Sequence, residues 1–327
     1  MEHSMAGEYL NLADYRLGTR VLDASDDFFA EMENILNVSA PVFIDDKFTQ
    51  RGKWMDGWET RRRRRGGHDW CVIQLGMSGI LKGVDVDTTH FRGNAPKEVS
   101  LEAASTSSVP GESDWVEILP RSSVDSHSHN FFDLTNSDSW KFLRLHIYPD
   151  GGVARLRVYG EGEPNWDKFV PGELIDLAAA ENGGSSVGCS DMFFSPKDNL
   201  IMPGRGVNMG DGWETKRRRG HEKDGGHDWN IVKLVTPGLI KKVMIDTAHF
   251  KGNFPDTFSL EACMHTDKER LPKNAKWEEI ISQTPLAADT RHIFIKEITN
   301  TESKFSHVRL NIYPDGGVSR MSIYGQK

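Results

Sequence analysis

The chain has 327 residues, more than one ordinary domain needs and enough for two with separate cores. Hydrophobic residues make up 37% and charged residues 27%, which excludes membrane-like and disordered compositions. The net charge of -8 excludes general nucleic-acid binding, but cations gather at Arg61–Arg65 and Lys216–Arg219, which leaves a local anion site open.

In chain order, a short helix is expected over Asp26–Leu36. Trp70-Cys-Val-Ile-Gln-Leu reads as a β run ending at Gly76, and Ile80–Phe91 as a second one. Val99–Ala103, Trp115–Leu119 and Phe131–Leu134 follow as short strands. Lys141–Tyr148 alternates, with Phe142, Leu143, Leu145 and Ile147 set against Arg144, His146 and Tyr148. Pro149-Asp-Gly-Gly is a hairpin turn, and Val153–Tyr159 alternates again. Short strands at this spacing predict an antiparallel sandwich, and about eight per unit predict a jelly roll.

The unit is written twice. DGWETRRRR at Asp56 returns as DGWETKRRR at Asp211, and GGHDW at Gly66 returns at Gly225. DTTHFRGN at Asp87 returns as DTAHFKGN at Asp246, and SLEA at Ser100 returns at Ser259. RLHIYPDGGVARLRVYG at Arg144 returns as RLNIYPDGGVSRMSIYG at Arg309. The domains are therefore read as 1–160 and 175–327, with the Pro- and Gly-containing stretch 161–174 as linker. Insertions such as HEKD after Gly220 belong in loops.

Three dispersed cysteines, Cys71, Cys189 and Cys263, form no disulfide framework and no zinc motif. They fit a reducing compartment. MEHSMAGEYL lacks a signal-peptide core, no apolar run reaches the ~20 residues that span a bilayer, and YGQK is not a peroxisomal signal. A cytoplasmic protein is expected.

Two constellations carry candidate chemistry. The first is Asp56-Gly-Trp58-Glu59-Thr60, the arginine run and His68-Asp69-Trp70. Guanidinium forks bind carboxylates bidentately, so an anionic ligand suits it. An arginine run is equally at home on a solvated face, and Trp58 and Trp70 are more at home in a core. If the run is a strand, at most half of its arginines share one pocket. The second constellation is Asp87-Thr-Thr89-His90-Phe-Arg92-Gly-Asn94, repeated as Asp246 to Asn253. A histidine at a strand end suits acid–base work near neutral pH, or a structural hydrogen bond. His68, Asp69, Asp87 and His90 could hold a divalent ion, although their spacing matches no metal signature. No G-x-S-x-G elbow is present, and Asn230 stands where Cys71 would recur.

DGWETRRRR…GGHDW, D-T-x-H-F-[RK]-G-N and R-L-x-I-Y-P-D-G-G-V, in both halves, resemble the allantoicases, hydrolases of C–N bonds in linear amidines. The resemblance implies tandem jelly rolls of galactose-binding-like fold, a homo-oligomer, and conversion of allantoate and water to ureidoglycolate and urea. It implies catalytic roles for Glu59, Asp87 and His90 or their repeats Glu214, Asp246 and His249. It implies substrate contacts from Arg61, Arg63, His68, Asp69, Arg92 and Asn94, or from Arg217, His227, Asp228, Lys251 and Asn253. Arginines would hold the allantoate carboxylate, Glu59 or Asp87 would accept ureido N–H groups, and His90 would protonate the departing urea. Arg92 against Lys251 favours the first copy, because only Arg binds bidentately. The rival readings are a carbohydrate-binding tandem sandwich without catalysis, and an inactive scaffold.

Overall fold

A computed structural model of the protein describes residues 4–218, 226–265, 271–272 and 274–327. Arg219, the HEKD insertion and Gly225 lie outside the described residues. The chain forms two compact units, Met1–Glu163 and Pro164–Lys327. Both are all-β. Among the described residues the one α-helix is Ser4–Glu8. The helix expected over Asp26–Leu36 shrinks to a 3-10 turn at Met32–Leu36, flanked by extended backbone at Glu31 and Asn37.

Each unit is organised around one 19-residue strand, Asp69–Asp87 in unit 1 and Asp228–Asp246 in unit 2. The two runs read separately in the sequence are thus one strand, and it stops at Asp87 instead of reaching Phe91. Its first part pairs with Arg20–Ala24 and Ser139–Tyr148, and its second part pairs with His129–Asp133 and Arg155–Gly162. The order continues from Ser139–Tyr148 to Glu98–Ala104 and Val116–Ser123. All these pairings are antiparallel. Unit 2 repeats the order.

A straight strand of this length would reach about 60 Å. Yet Asp69 lies opposite Ile147 and Asp87 lies opposite Arg155. Those partners are joined by so few residues that they stand at most about 28 Å apart. The strand must therefore bend back on itself. The bend is where Trp140 faces Gly79 but Phe142 already faces Gln74, so residues 75–78 leave that ladder. Unit 2 leaves its ladder between Lys233 and Gly238, where Pro237, lacking an N–H, is accommodated. As a result, the His68-Asp69 start and the Asp87–Asn94 end of the strand reach the same rim of the unit.

The core lies between the two halves of the bent strand and their neighbours. Ile73, Leu75, Leu81, Val84, Val86, Leu143, Leu145, Leu156 and Val158 are buried. Val153–Tyr159, read as one strand, divides into Gly152–Val153, which pairs with Trp58–Glu59, and Arg155–Gly162.

Candidate functional site

The rim is assembled by the turn after Tyr148. Thr60 N donates to Gly151 O at 3.1 Å, Arg63 N donates to Asp150 Oδ2 at 2.6 Å, and Gly152 N donates to Asn94 O at 2.8 Å. The Pro149–Gly152 turn is therefore the piece that holds both constellations together. Gly151 needs its φ of 137°. A Cβ on Gly57 would stand 2.6 Å from Val153 O and 2.9 Å from the Phe91 ring. The DGWET glycine is thus fixed by close packing on Phe91, which is itself fully buried.

Glu59 is half-buried beside Asn94, whose Nδ2 donates to Oε1 at 2.6 Å. Burial raises the Glu59 carboxyl above its ordinary range, and the Asn94 bond opposes this in part. Unit 2 repeats the pair, Asn253 Nδ2 donating to Glu214 Oε1 at 2.5 Å.

The arginine run lies outside the strands, with a bend over 64–66, so face alternation does not sort it. Ion pairs sort it instead. Arg61 binds Asp26 at 2.6 Å, and Arg63 binds Asp69 at 2.7 Å, where Ser25 Oγ also donates at 2.8 Å. Arg62, Arg64 and Arg65 are exposed. In unit 2 the residue on Asp228 is Arg218, at 2.7 Å, whereas Arg217 is exposed and corresponds to Arg62. Trp58 and Trp213 are fully buried, and their indole N–H groups donate to Asp26 O and Asp191 O. They are core residues.

Asp87 is 2% exposed, and its Oδ1 accepts the Thr89 amide at 2.8 Å, which turns the chain out of the strand. Asp246 accepts the Ala248 amide in the same way at 2.9 Å and also faces Arg205 and Arg291. The turn puts His90 and His249 at φ 72° and 70°. His90 Nε2 donates to Pro41 O at 3.2 Å, and His249 Nε2 to Gly206 O at 2.8 Å. In the neutral ring this leaves Nδ1 as the acceptor. Beyond His90, Arg92 meets His127, with Nη2 and Nε2 2.9 Å apart. In unit 2 Lys251 stands where Arg92 does, and Asp289 where His127 does.

His68 takes a different direction. It bonds His146 at 2.9 Å, His146 bonds Glu102 at 2.7 Å, and Glu102 also accepts from Arg144 at 2.7 Å. These lie on the outer face of the sheet beside a cavity of about 680 Å³, walled by Trp70, Trp115, Arg144 and Glu112. Burial, then His146, then Arg63 push the His68 imidazole below its usual range. His227 keeps the ring contact with Tyr313 at 4.9 Å, but Asn311 stands where His146 would.

The four residues that could have held a divalent ion, His68, Asp69, Asp87 and His90, are not brought together. His68 turns to His146, Asp69 to Arg63, Asp87 to the Thr89 amide and His90 to Pro41. Among the described residues no three His, Cys, Asp or Glu side chains stand where they could hold a metal ion together.

The allantoicase repeat family model matches residues 10–163 and again 175–327. The chain belongs to the allantoicase family. It is 48% identical over 322 residues to "Probable allantoicase 1" of Burkholderia mallei, covering 97% of this chain and 94% of the relative. It is 46% identical to "Probable allantoicase" of Photobacterium profundum, covering 98% and 97%. The crystal structure of allantoicase from Saccharomyces cerevisiae superposes with a TM-score of 0.81 at 35% identity, covering 98% of this chain and 93% of that one.

In this allantoicase-family chain Arg155, with its repeat Arg320, and the histidines His127 and His146 carry weight that the motifs did not announce. Arg155 is fully buried and donates to Ser39 O, Asn34 O and Asp56 O, and to Asp56 Oδ2 at 2.8 Å, which ties the 34–56 segment to the strand. Arg320 does the same for Gly204 and Asp211. Its position in the closing R-L-R and R-M-S repeat was the available signal. His127 sits in SHSHN and has no histidine counterpart in unit 2. His146 shares the polar face of its strand with Arg144 and Tyr148.

Proposed function

We propose that this protein adds water to allantoate, releasing urea and leaving ureidoglycolate. The observation that carries the reading is near-full-length identity of 46–48% with curated allantoicases. The reaction breaks one C–N bond at the carbon that bears the carboxylate and two ureido groups. Hydroxide from water replaces one ureido group, whose nitrogen takes a proton and leaves as urea.

Glu59 suits the task of taking the proton from water. Burial raises its carboxyl, and Asn94 holds one oxygen while the other stays available. His90, with Nε2–H committed to Pro41 O, exchanges protons through Nδ1. Asp87 supports the loop that presents His90. Arg61 and Arg63 are already ion-paired and shape the rim. The same reading carries a homo-oligomer working in the cytoplasm, in keeping with three cysteines dispersed along the chain. Among the described residues no helix is long and apolar enough to cross a membrane.

Urea release from allantoate by the purified chain tests the activity. Glu59→Gln and Glu214→Gln in parallel test the site. Loss of a general base lowers kcat by about 10²–10⁴-fold with folding unchanged. Full turnover by both variants, alone and combined, would remove this carboxylate from the reaction.

A further inference from the structure

Arg92 and His127 present an arrangement that only a third group completes. The backbone N–H of His90 donates to His127 Nδ1 at 2.8 Å. A neutral imidazole has one lone pair and one N–H, so the proton of His127 is on Nε2. Nε2 stands 2.9 Å from Arg92 Nη2, and a guanidinium has donors only. Two N–H groups therefore point into the same small space. Moving the proton to Nδ1 would set it against the His90 amide, and removing it would make an imidazolate. The group that satisfies both donors is an anionic oxygen, and a carboxylate offers one oxygen to each.

The second unit supplies the comparison. Its counterpart of His127 is Asp289. Each takes its place through its own amide, His127 N to Phe91 O at 3.1 Å and Asp289 N to Phe250 O at 3.2 Å. Asp289 Oδ1 accepts the His249 amide at 2.7 Å, where His127 Nδ1 accepts that of His90. The His249 amide, with Lys251, His249 and Arg205 nearby, holds the Asp289 carboxyl below its usual range. In unit 2 the acceptor is thus built into the chain. In unit 1 the same loops keep two converging donors.

We infer that Arg92 and His127 of unit 1 grip the carboxylate of the substrate, and that Asp289 fills the matching position of unit 2 from within. This rests on the allantoate reading above and deepens it. It assigns the first copy as the substrate-binding one and places His90, whose ring centroid is 5.6 Å from that of His127, beside the bound anion.

The test compares the wild-type chain with Arg92→Gln and with His127→Asp, the residue type unit 2 uses. Both variants should raise KM for allantoate about tenfold or more, the worth of one charge-assisted bond, and change kcat far less. Glycolate, a small monocarboxylate, should inhibit the wild type competitively and lose that effect in both variants. Arg92→Lys, the residue type of unit 2, keeps the charge without the fork and should fall between. An unchanged KM in both variants, with glycolate still competing, would overturn the inference and leave the activity standing. No turnover by the wild type would overturn the activity reading. Glycolate binding by titration, retained in the wild type and lost in Arg92→Gln, would then still uphold the anion grip, and equal binding by both would overturn it.

Discussion

Replacing Asn94 by Ala isolates one hydrogen bond. The side chain donates to Glu59 Oε1 at 2.6 Å, while the backbone oxygen that receives the Gly152 amide is untouched by the change. A bond to a charged acceptor is worth roughly 1.5–3 kcal/mol. That bond favours the ionised form of Glu59 and opposes the effect of burial. Its loss therefore moves the carboxyl further upward. If Glu59 must be deprotonated to take a proton from water, activity is present above its folded value and is lost as pH falls through it. The acid limb of kcat/KM should move to higher pH, and activity on the old limb should drop by roughly 10- to 150-fold. The assay is urea release from allantoate across pH, with Asn253→Ala as the second-copy comparison. An Asn94→Ala profile that overlays the wild type at every pH would refute the role of Glu59 as the base.

Arg155→Met removes a buried cation and strands Asp56 with several carbonyls. Breaking a buried pair from one side costs about 3–5 kcal/mol. Calorimetry should show the first unfolding transition fall by roughly 6–20 °C, and a fall of less than 2 °C would contradict the clamp. His307 is buried and its imidazole is pushed down to about 4, mainly by burial. The unfolded ring titrates near 6.5, so unfolding takes up a proton between the two values and stability declines as pH falls from about 6.5 towards 4. Phe142 occupies the matching position of unit 1. His307→Phe should flatten that decline in denaturation midpoints measured at pH 7 and pH 4.5, and an equal slope would exclude His307 as its source.

The repeat, the all-β class and most strands were legible in the sequence, because alternation and turn residues are local signals. The long strand was not, because Gly76-Met77-Ser78-Gly79 reads as a turn; the chain does bend there, but it stays in the sheet on both sides. The motif residues were legible as a set, but not their division of labour. Which arginine pairs with which carboxylate depends on Asp26 and Asp150, far away in sequence. The Glu59–Asn94 bond joins two motifs that the sequence shows only side by side. His127 was invisible to a search by repetition, since its meaning lies in the difference from Asp289. His146 and Glu102 lay inside repeated strings that read as strand, and only their shared outward face reveals the chain from His68 to Glu102.

The bend in the long strand also separates what length changes can do to each unit. Sliding a strand by a single residue against its neighbour turns every side chain to the wrong face. Residues 75–78 stand outside the ladder with Ser139–Tyr148, and the register of that ladder shifts across them, between Trp140 and Phe142. An added or deleted residue at this elbow is absorbed as slack. The same change near Asp69 or Asp87 would rotate a motif out of the rim. Natural variation in chain length should therefore concentrate at the elbow and spare the two ends.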